Sequence, residues 1–311
     1  MIGIPISEGH KIVTTGDGLA QMVRELRSVT SRGVDLESNG LRYAHGDRAI
    51  GYSLGYIPKG GGWPRCFYVP YGHRTTEVQC DPVQAKAAFK AALEGAEELV
   101  GQNLKFDLNM ARASGLVTPI KAAIHDTMLQ GWINYERRSL GLEALAAHEG
   151  VSRWGDPFEA KEVLNDFKKW RMPLKKDNKR EQIQAYLTKF GHAEVPIALE
   201  GEYACRDVSH ALCLDVKQRP QAMGIGQPYE SQARFYYWNE MMLVRALAEM
   251  EWHGQEVDKD YLYETADDLE VELSQRAEAL SAAFGLVIDW TKDRQIRELL
   301  YGVYKFPVLK L

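Results

Sequence analysis

The stretch GVDLES at residues 33–38 limits the possible folds of this chain more than any other segment. In a β-strand successive side chains point to opposite faces, so Asp35 and Glu37 would share one face, and Val34 and Leu36 the other. Two carboxylates this close repel each other and are costly to desolvate. A bound cation removes that cost, and Mg²⁺ or Mn²⁺ suits such oxygen ligands better than Zn²⁺. The segment predicts a strand with two candidate metal ligands, although D-x-E alone also occurs by chance.

The overall composition limits the class of protein. With 311 residues the chain is long enough for one large domain or two, and 45% hydrophobic with 26% charged residues is typical of globular proteins. No apolar run approaches the ~18–20 residues that span a bilayer, and no basic-then-apolar leader opens the chain, so a cytoplasmic protein without a membrane partner is expected. A net charge of −5 argues against a generally basic nucleic-acid binder but leaves room for a local basic track.

The order of elements favours an α/β fold. After the acidic strand, AIGYSLGYI at residues 49–57 and RCFYVPY at residues 65–71 predict two more strands. The glycine-rich turn between them is not a P-loop, because WPR follows where G-K-[ST] and a helix are required. Asp81 and Pro82 predict the start of a helix, and short strands alternate with helices beyond it. This order predicts a mixed sheet with flanking helices.

The C-terminal part is predicted to be helical throughout. The predicted helices cover residues 198–219, 229–253, 259–284 and about 292–301. The first of these is expected to end at Pro220, because proline interrupts a helix. No strand is evident after it. We therefore predict two domains, an α/β domain at residues 1–222 and a helical segment at residues 223–311.

Two further segments carry polar side chains at helical spacing. In NLKFD, Asp107 lies four residues after Asn103, in the first turn of a predicted helix, where free backbone N–H groups stabilise a carboxylate. In YACRD, Tyr203 and Asp207 are four residues apart and share one helix face. Simple helix capping remains an alternative for Asp107, and a surface hydrogen-bonding pair remains one for Tyr203 and Asp207.

A basic stretch lies at residues 165–180. It contains seven cations with an aromatic side chain among them: Lys168, Lys169, Trp170, Arg171, Lys175, Lys176, Lys179 and Arg180. Such a stretch can bind phosphates while the aromatic ring stacks on a base. A solvated surface loop of the same composition is the open alternative.

Taken together, these motifs resemble the 3′–5′ exonuclease family whose acids are Asp, Glu, Asp and Asp, in the subclass with tyrosine in its third motif. Asp35 and Glu37 match the first motif, N-x-x-x-D ending at Asp107 matches the second, and Y-x-x-x-D ending at Asp207 matches the third. GQNLKFDLNMARASG, HDTMLQGWI and YVPYGH are similar to the proofreading domain of bacterial DNA polymerase I and its phage relatives. LVRALAEMEWHGQEVDKDYL resembles the helix that opens the polymerase region of family-A DNA polymerases. The resemblance covers most of residues 30–301.

The resemblance implies a ribonuclease H-like fold and hydrolysis of DNA from a single-stranded 3′ end with two Mg²⁺ or Mn²⁺ ions. Asp35 would bridge both ions. Glu37 and Asp207 would hold the ion that carries the attacking water, and Asp107 would act on the other ion through its water shell. Tyr203, whose unperturbed pKa near ~10 makes it a poor base, would orient the water. The candidate substrate contacts are Leu36, Asn103, Phe106, Lys168, Lys169, Trp170 and Arg171.

The resemblance also implies partners and a setting. These are a primer-template DNA and the remainder of a polymerase, covalent or as a separate chain, in a bacterial cell and of bacterial or phage origin. No 5′-nuclease segment precedes the exonuclease, as in the phage type. Nothing after residue 222 resembles the palm aspartates or the fingers helix, so this chain is not expected to polymerise alone.

The first strand departs from the family pattern, and two alternative functions remain open. Ser31, Arg32 and Gly33 make the first strand poorer in apolar residues than the family pattern, which bears on the burial of the strand more than on its acids. The first alternative is a free-standing exonuclease that acts on RNA, like ribonuclease D. The second is a non-catalytic relative that binds DNA or docks a partner.

Overall fold

The computed structural model describes residues 4–5, 9–119, 121–135, 139–151, 192–286 and 288–307. The chain divides into two compact units, residues 1–253 and residues 254–311. The first unit contains the whole sheet, and the second is helical in every element that the structure describes.

Seven strands form one sheet: β1 (Ile4–Pro5), β2 (His10–Ile12), β3 (Ser31–Ser38), β4 (Ala49–Tyr56), β5 (Arg65–Pro70), β6 (Glu98–Gly101) and β7 (Ala123–Asp126). Their spatial order is β1-β2-β5-β4-β3-β6-β7. β4 runs antiparallel to both β3 and β5, whereas β3, β6 and β7 are parallel to one another. The predicted ribonuclease H-like mixed sheet is confirmed, with the acidic strand β3 inside it.

The described helices of the first unit are α1 (Gly16–Arg27), α2 (Pro82–Leu93), α3 (Leu104–Ser114), α4 (Thr127–Asn134), α5 (Leu142–His148), α6 (Ile197–Ala222) and α7 (Glu230–His253). Those of the second are α8 (Lys259–Phe284) and α9 (Asp293–Arg297), with the π-helical turn Glu298–Val303. Asp81 caps α2 by accepting two backbone N–H groups, as its sequence position predicts. No described helix is both long and apolar enough to cross a membrane.

Helices cover both faces of the sheet. On one face α1, α2 and α3 enclose a large apolar core that includes Val34 and Leu36 of β3. On the other face α6 crosses the sheet from β2 to β6 and buries Val208 and Leu212. Because side chains alternate along a strand, Asp35 lies on the α6 side. The alternation predicted for the acidic strand is therefore confirmed.

Two glycines let α6 lie close to the sheet. Gly33 of β3 and Gly55 of β4 are direct register partners. A Cβ added at Gly33 would lie 2.7 Å from Val208 Cγ1, and one at Gly55 would lie 2.8 Å from the same atom. The departure from the family's apolar pattern thus has a packing reason. The strand is buried nonetheless, and the Arg32 guanidinium donates to backbone carbonyls at the C-terminal end of α2.

Helix α7 belongs to the first compact unit, although the sequence places it in the helical segment after residue 222. It buries Tyr237, Met241, Val244 and Ala248, which lie on one helix face. The Tyr237 hydroxyl hydrogen-bonds to His125 Nδ1 at 2.6 Å and accepts from Gln130 Nε2 at 3.1 Å. The domain boundary predicted near residue 222 marks where a polymerase region would begin, and it stays a prediction.

The predicted end of α6 at Pro220 is wrong. The helix continues to Ala222, with Pro220 inside its last turn. A proline at this position lacks the N–H that would bond to the carbonyl of Val216. Val216 is exposed, so water can take the place of that donor. The cost of the proline is therefore small enough for the helix to pass through it.

Replacing Gly33 with alanine is expected to destabilise the protein by about 1–3 kcal/mol, because the new Cβ overpacks the contact with Val208 and Leu212. Urea denaturation of the wild type and the variant measures the difference. Gly60→Ala is the matched control, since nothing lies within 4 Å of a Cβ built there. Equal losses in the two variants would contradict the packing role of Gly33.

Tyr237→Phe is expected to cost about 1–3 kcal/mol, because it removes a buried hydroxyl and leaves its partners on β7 and α4 unsatisfied. Thermal denaturation monitored by circular dichroism gives the change. Tyr261→Phe, at a side chain that is 65% exposed, should leave the midpoint unchanged. An unaltered midpoint for Tyr237→Phe would show that α7 does not depend on this network.

Candidate active site

The predicted acids meet on the α6 face of the sheet. β3 supplies Asp35 and Glu37, and α6 supplies Tyr203 and Asp207. The carboxylate of Asp35 is close enough to repel those of Glu37 and Asp207. Two segments far apart in the sequence thus place three carboxylates and a phenol at one site, which the family resemblance implies.

Asp107 reaches the same strand from α3. β3 pairs with β6 only as far as Gly33 and Val100, so its backbone is unpaired on that side further along. Asp107 Oδ1 accepts the free N–H of Leu36 at 3.0 Å. Burial, followed by repulsion from Asp35, raises the pKa of Asp107 well above its ordinary value. The side chain therefore ties α3 to the acidic strand, which goes beyond a simple helix cap.

Asp126 positions the start of the helix that carries Asp107. Its carboxylate accepts the backbone N–H groups of Asn103 at 3.0 Å and Leu104 at 2.8 Å. It also caps its own helix α4 by accepting from Met128 at 2.9 Å. One buried carboxylate thus joins the N-termini of α3 and α4, and Asn103 adopts the left-handed conformation with φ 55°. The positioning role of Asp126 was not expected from the sequence.

Tyr203, Arg206 and Asp207 form one group on α6. The Tyr203 hydroxyl donates a hydrogen bond to Asp207, which lies four residues further along the helix. The Arg206 guanidinium is 3.9 Å from Asp207 Oδ1 and 3.5 Å from Glu143 Oε1, and it is almost wholly buried. The pair predicted from the spacing of Tyr203 and Asp207 is present. Both side chains are half-buried at the site, so they are not a surface pair.

Burial and mutual repulsion disfavour the charged forms of these acids. Burial first, and then the carboxylate of Glu200, raises the pKa of Asp35 to about 6. Burial and then Asp35 raise the pKa of Asp207 to about 8, against the attraction of Arg206. The pKa of Glu37 also lies well above its ordinary value, because of burial and then Glu200. Bound cations would relieve this repulsion, and carboxylate oxygens are the donors that Mg²⁺ and Mn²⁺ prefer.

Sequence reasoning missed two residues beside Glu37. His192, in the 3₁₀ turn His192–Glu194, places Nδ1 2.6 Å from Glu200 Oε1 and 3.7 Å from Glu37 Oε2. Burial opposes charging of His192, but Glu200 outweighs it and raises the pKa of the imidazole. Glu200 lies three residues before Tyr203 and seven before Asp207, so helical spacing could have revealed it. No comparable signal marks His192.

The predicted substrate contacts are only partly within the described residues. The Leu36 side chain lies in the apolar core, while its backbone N–H faces Asp107. Asn103 and Phe106, at the start of α3, are half-buried. Their contacts with a nucleotide stay predictions. The remaining four candidates lie outside the described residues: Lys168, Lys169, Trp170 and Arg171.

The family comparison agrees with this arrangement. Residues 10–214 match the family described as 3′–5′ exonuclease, and this range contains all four acids and Tyr203. The chain belongs to the 3′–5′ exonuclease family of the family-A DNA polymerases. The chain is also similar to DNA polymerase I of Chloroflexus aurantiacus, at 24% identity over 293 residues. The alignment covers 94% of this chain and 27% of that relative, so the chain spans about a quarter of the relative's length.

Solved structures with a similar fold have low sequence identity to this family member. The catalytic core of RRP6 from Trypanosoma brucei superposes with a TM-score of 0.44 at 14% identity, over 75% of this chain and 51% of that one. RNase D from Escherichia coli gives a TM-score of 0.43 at 13% identity, over 78% of this chain and 51% of that one. NrnC from Brucella melitensis gives 0.42 at 16% identity, over 74% and 89%.

Without divalent cations, the stability of the protein is expected to fall as the pH rises from about 4 to about 8. The pKa of Asp207 is about 8 in the folded state, above the ~3.9 of an unfolded aspartate, so the folded state binds the extra proton in this range. Stability that is present below the unfolded pKa is lost as the pH rises through the folded pKa. Thermal denaturation in EDTA across this pH range measures the slope.

Asp207→Asn should make that slope shallower and raise the midpoint at pH 8 by at least ~2 °C, since a gain of about 1 kcal/mol in unfolding free energy corresponds to ~2–4 °C at this size. Asp17→Asn, at an exposed carboxylate in the first turn of α1, should keep the wild-type slope. Because Asp35, Glu37 and Asp107 also have raised pKa values, part of the slope should remain. A slope in Asp207→Asn as steep as that of the wild type would contradict a raised pKa for Asp207.

Proposed function

We propose that this chain hydrolyses DNA phosphodiesters from a single-stranded 3′ end with two divalent cations, Mg²⁺ or Mn²⁺, as the proofreading part of a longer, phage-type family-A DNA polymerase. The observation that carries this proposal is the meeting of Asp35, Glu37, Asp107 and Asp207 with Tyr203, drawn from three separate elements of a 3′–5′ exonuclease domain. Four carboxylates would not be collected in a buried place for stability, because each raises the cost of charging the next.

The acids fit a two-cation site. Asp35 is close enough to both Glu37 on β3 and Asp207 on α6 to repel their carboxylates, and it is proposed as the ligand shared by both ions. Glu37 and Asp207 would hold the ion on the water side, and Asp107 would act on the other through its water shell. Two such cations, when bound, neutralise the phosphodiester and lower the pKa of the attacking water.

Tyr203 is proposed to orient the attacking water by hydrogen bonding. The carboxylate of Asp207, together with burial, raises the pKa of Tyr203 well above its ordinary value. The hydroxyl therefore keeps its proton at neutral pH and does not serve as a general base. Its hydrogen bond with Asp207 supports this role, because it fixes the hydroxyl beside the acids.

The single-stranded 3′ end is proposed to enter beside α3. Phe106, one residue before Asp107, is half-buried against the apolar core and has an aromatic face that can contact the terminal base. Leu36 and Asn103 are the proposed neighbours of that nucleotide. The cations Lys168, Lys169 and Arg171, with Trp170, are proposed to follow the phosphates. Unpairing a duplex end costs a few kcal/mol and least at a mismatch, which would favour removal of a misincorporated base.

The remainder of a polymerase and its primer-template DNA are the proposed partners. The similarity to DNA polymerase I spans only part of that protein. In addition, α8 has no buried residue among those described and exposes apolar side chains such as Leu262, Leu269 and Leu273. Apolar side chains repeated along one element favour a covered surface in the complete assembly. We propose that residues 223–311 open the polymerase region.

The decisive experiment follows a 5′-labelled single-stranded DNA in Mg²⁺. The wild type should produce a ladder that shortens from the 3′ end. Asp207→Asn should slow it by about 100-fold or more, since losing even a group that supports a metal ligand costs about 10- to 100-fold. Asp17→Asn should leave the rate unchanged, and circular dichroism should confirm that both variants fold. A blocked 3′ terminus should stop the ladder.

Substrate preference is measured in the same assay with DNA and RNA of one sequence. Faster degradation of DNA is expected from the proposed place in a DNA polymerase. A clear preference for RNA would replace proofreading with a ribonuclease D-like activity. Tight binding of the single strand without cleavage, in Mg²⁺ and in Mn²⁺, would instead indicate a non-catalytic relative.

A further inference from the structure

Glu37, one of the exonuclease acids, also belongs to a second donor cluster with His192 and Glu200. Glu37 comes from β3, His192 from the turn that precedes α6, and Glu200 from the first turn of α6. One donor atom from each of the three lies within 4.8 Å of the other two. Nδ1 of His192 is 2.6 Å from Glu200 and 3.7 Å from Glu37. The cluster thus combines one imidazole nitrogen with two carboxylates.

Glu200 shows that this cluster needs a further positive partner. Its side chain is 0% exposed, and Oε1 pairs with His192. Its second oxygen, Oε2, has no hydrogen-bond donor within the part of the chain that the structure describes. Glu37 and Glu200 repel each other when both are charged, their side chains hydrogen-bond when one is protonated, and one imidazole lies within 3.7 Å of both. A buried carboxylate oxygen without a donor is costly, so a bound cation would stabilise this arrangement.

The turn that carries His192 is held in place from outside the cluster. The backbone N–H of Arg74 donates to Ala193 at 2.8 Å, and the N–H of Ile197 donates to Glu77 at 2.9 Å. The loop after β5 therefore fixes the turn on both sides of Glu194. Donors that are fixed before an ion arrives lose little conformational entropy when it binds.

The donor types decide which cation would bind. Imidazole nitrogen suits Zn²⁺, Cu²⁺, Fe²⁺ and Ni²⁺, whereas Mg²⁺ prefers oxygen ligands and its own waters. We infer that Glu37, His192 and Glu200 form a third cation site, selective for transition-metal ions, next to the all-carboxylate exonuclease pair. The inference goes beyond the proposed hydrolysis, because it concerns ion binding through His192 and Glu200, which the exonuclease motifs do not include.

The test is nuclear magnetic resonance of the full chain with ¹⁵N-labelled histidine, titrated with Zn²⁺ or Mg²⁺ at constant pH without DNA. His192→Gln assigns the Nδ1 resonance of His192 by its disappearance. Zn²⁺ should move that resonance at a defined stoichiometry, and Mg²⁺ at the same concentration should leave it in place. Because this readout needs no hydrolysis, it stands or falls separately from the exonuclease activity.

Three variants test whether Zn²⁺ binds through the side chains of this cluster. Glu200→Gln should raise the Zn²⁺ concentration needed by about 10-fold or more, because losing even an outer partner costs about 10- to 100-fold. Glu194→Gln, at a carboxylate in the same turn, is the matched control and should titrate like the wild type. Asp207→Asn should also titrate like the wild type, since Asp207 is a proposed ligand of the exonuclease pair and is not part of the cluster.

The outcomes are distinct. A His192 resonance that Zn²⁺ does not move in the wild type would overturn the inference, and so would equal shifts with Mg²⁺ and Zn²⁺. Loss of the shift in Asp207→Asn would assign the effect to the exonuclease pair and would also overturn it. The comparison of Zn²⁺ with Mg²⁺ uses only the wild type, so the inference remains testable if Glu200→Gln does not fold.

Discussion

The close contact between α6 and the paired glycines of β3 and β4 is the constraint on which the candidate site depends. Gly33 and Gly55 leave room for Val208, which follows Asp207 directly on α6. A side chain at either glycine would lift the helix and separate Asp207 from Asp35 on the strand below. The distance between Asp35 and Asp207 therefore depends on the lack of a side chain at Gly33, two residues before Asp35.

Collecting carboxylates in one buried place is unfavourable, whereas several other carboxylates of the first unit are well paired. Asp126 accepts three backbone N–H groups and joins α3 to α4. On α6, well beyond the acids, Arg219 pairs with Asp215 and with Glu98. The Glu98 carboxyl group accordingly has a pKa lowered to about 2, mainly through His125 and then Arg219. These carboxylates away from the site are thus paired with positive groups or N–H donors, whereas negative charge is in excess where the cations are proposed to bind.

The local structure was largely predictable, and the exceptions have physical causes. The alternation around Asp35, the cap at Asp81 and the i, i+4 pair on α6 follow from the geometry of single elements. The helix passes through Pro220 because Val216 can bond to water, which depends on exposure. His192 and Glu200 were missed because their role depends on a neighbour from another strand. The packing of α7 against β7 likewise depends on a hydroxyl, that of Tyr237, finding partners far away in sequence.

By itself the sequence determined the α/β order, the acidic strand and the spacing of the three motifs, because periodicity and capping act over a few residues. Only the tertiary structure decided which groups meet. In the tertiary structure β3 pairs with only part of β6, which leaves the Leu36 N–H free to donate to Asp107. Helix α6 packs closely against Gly33 and Gly55, and His192 lies next to Glu37. These contacts arise from packing and electrostatics between distant segments, and no local pattern encodes the distances between them.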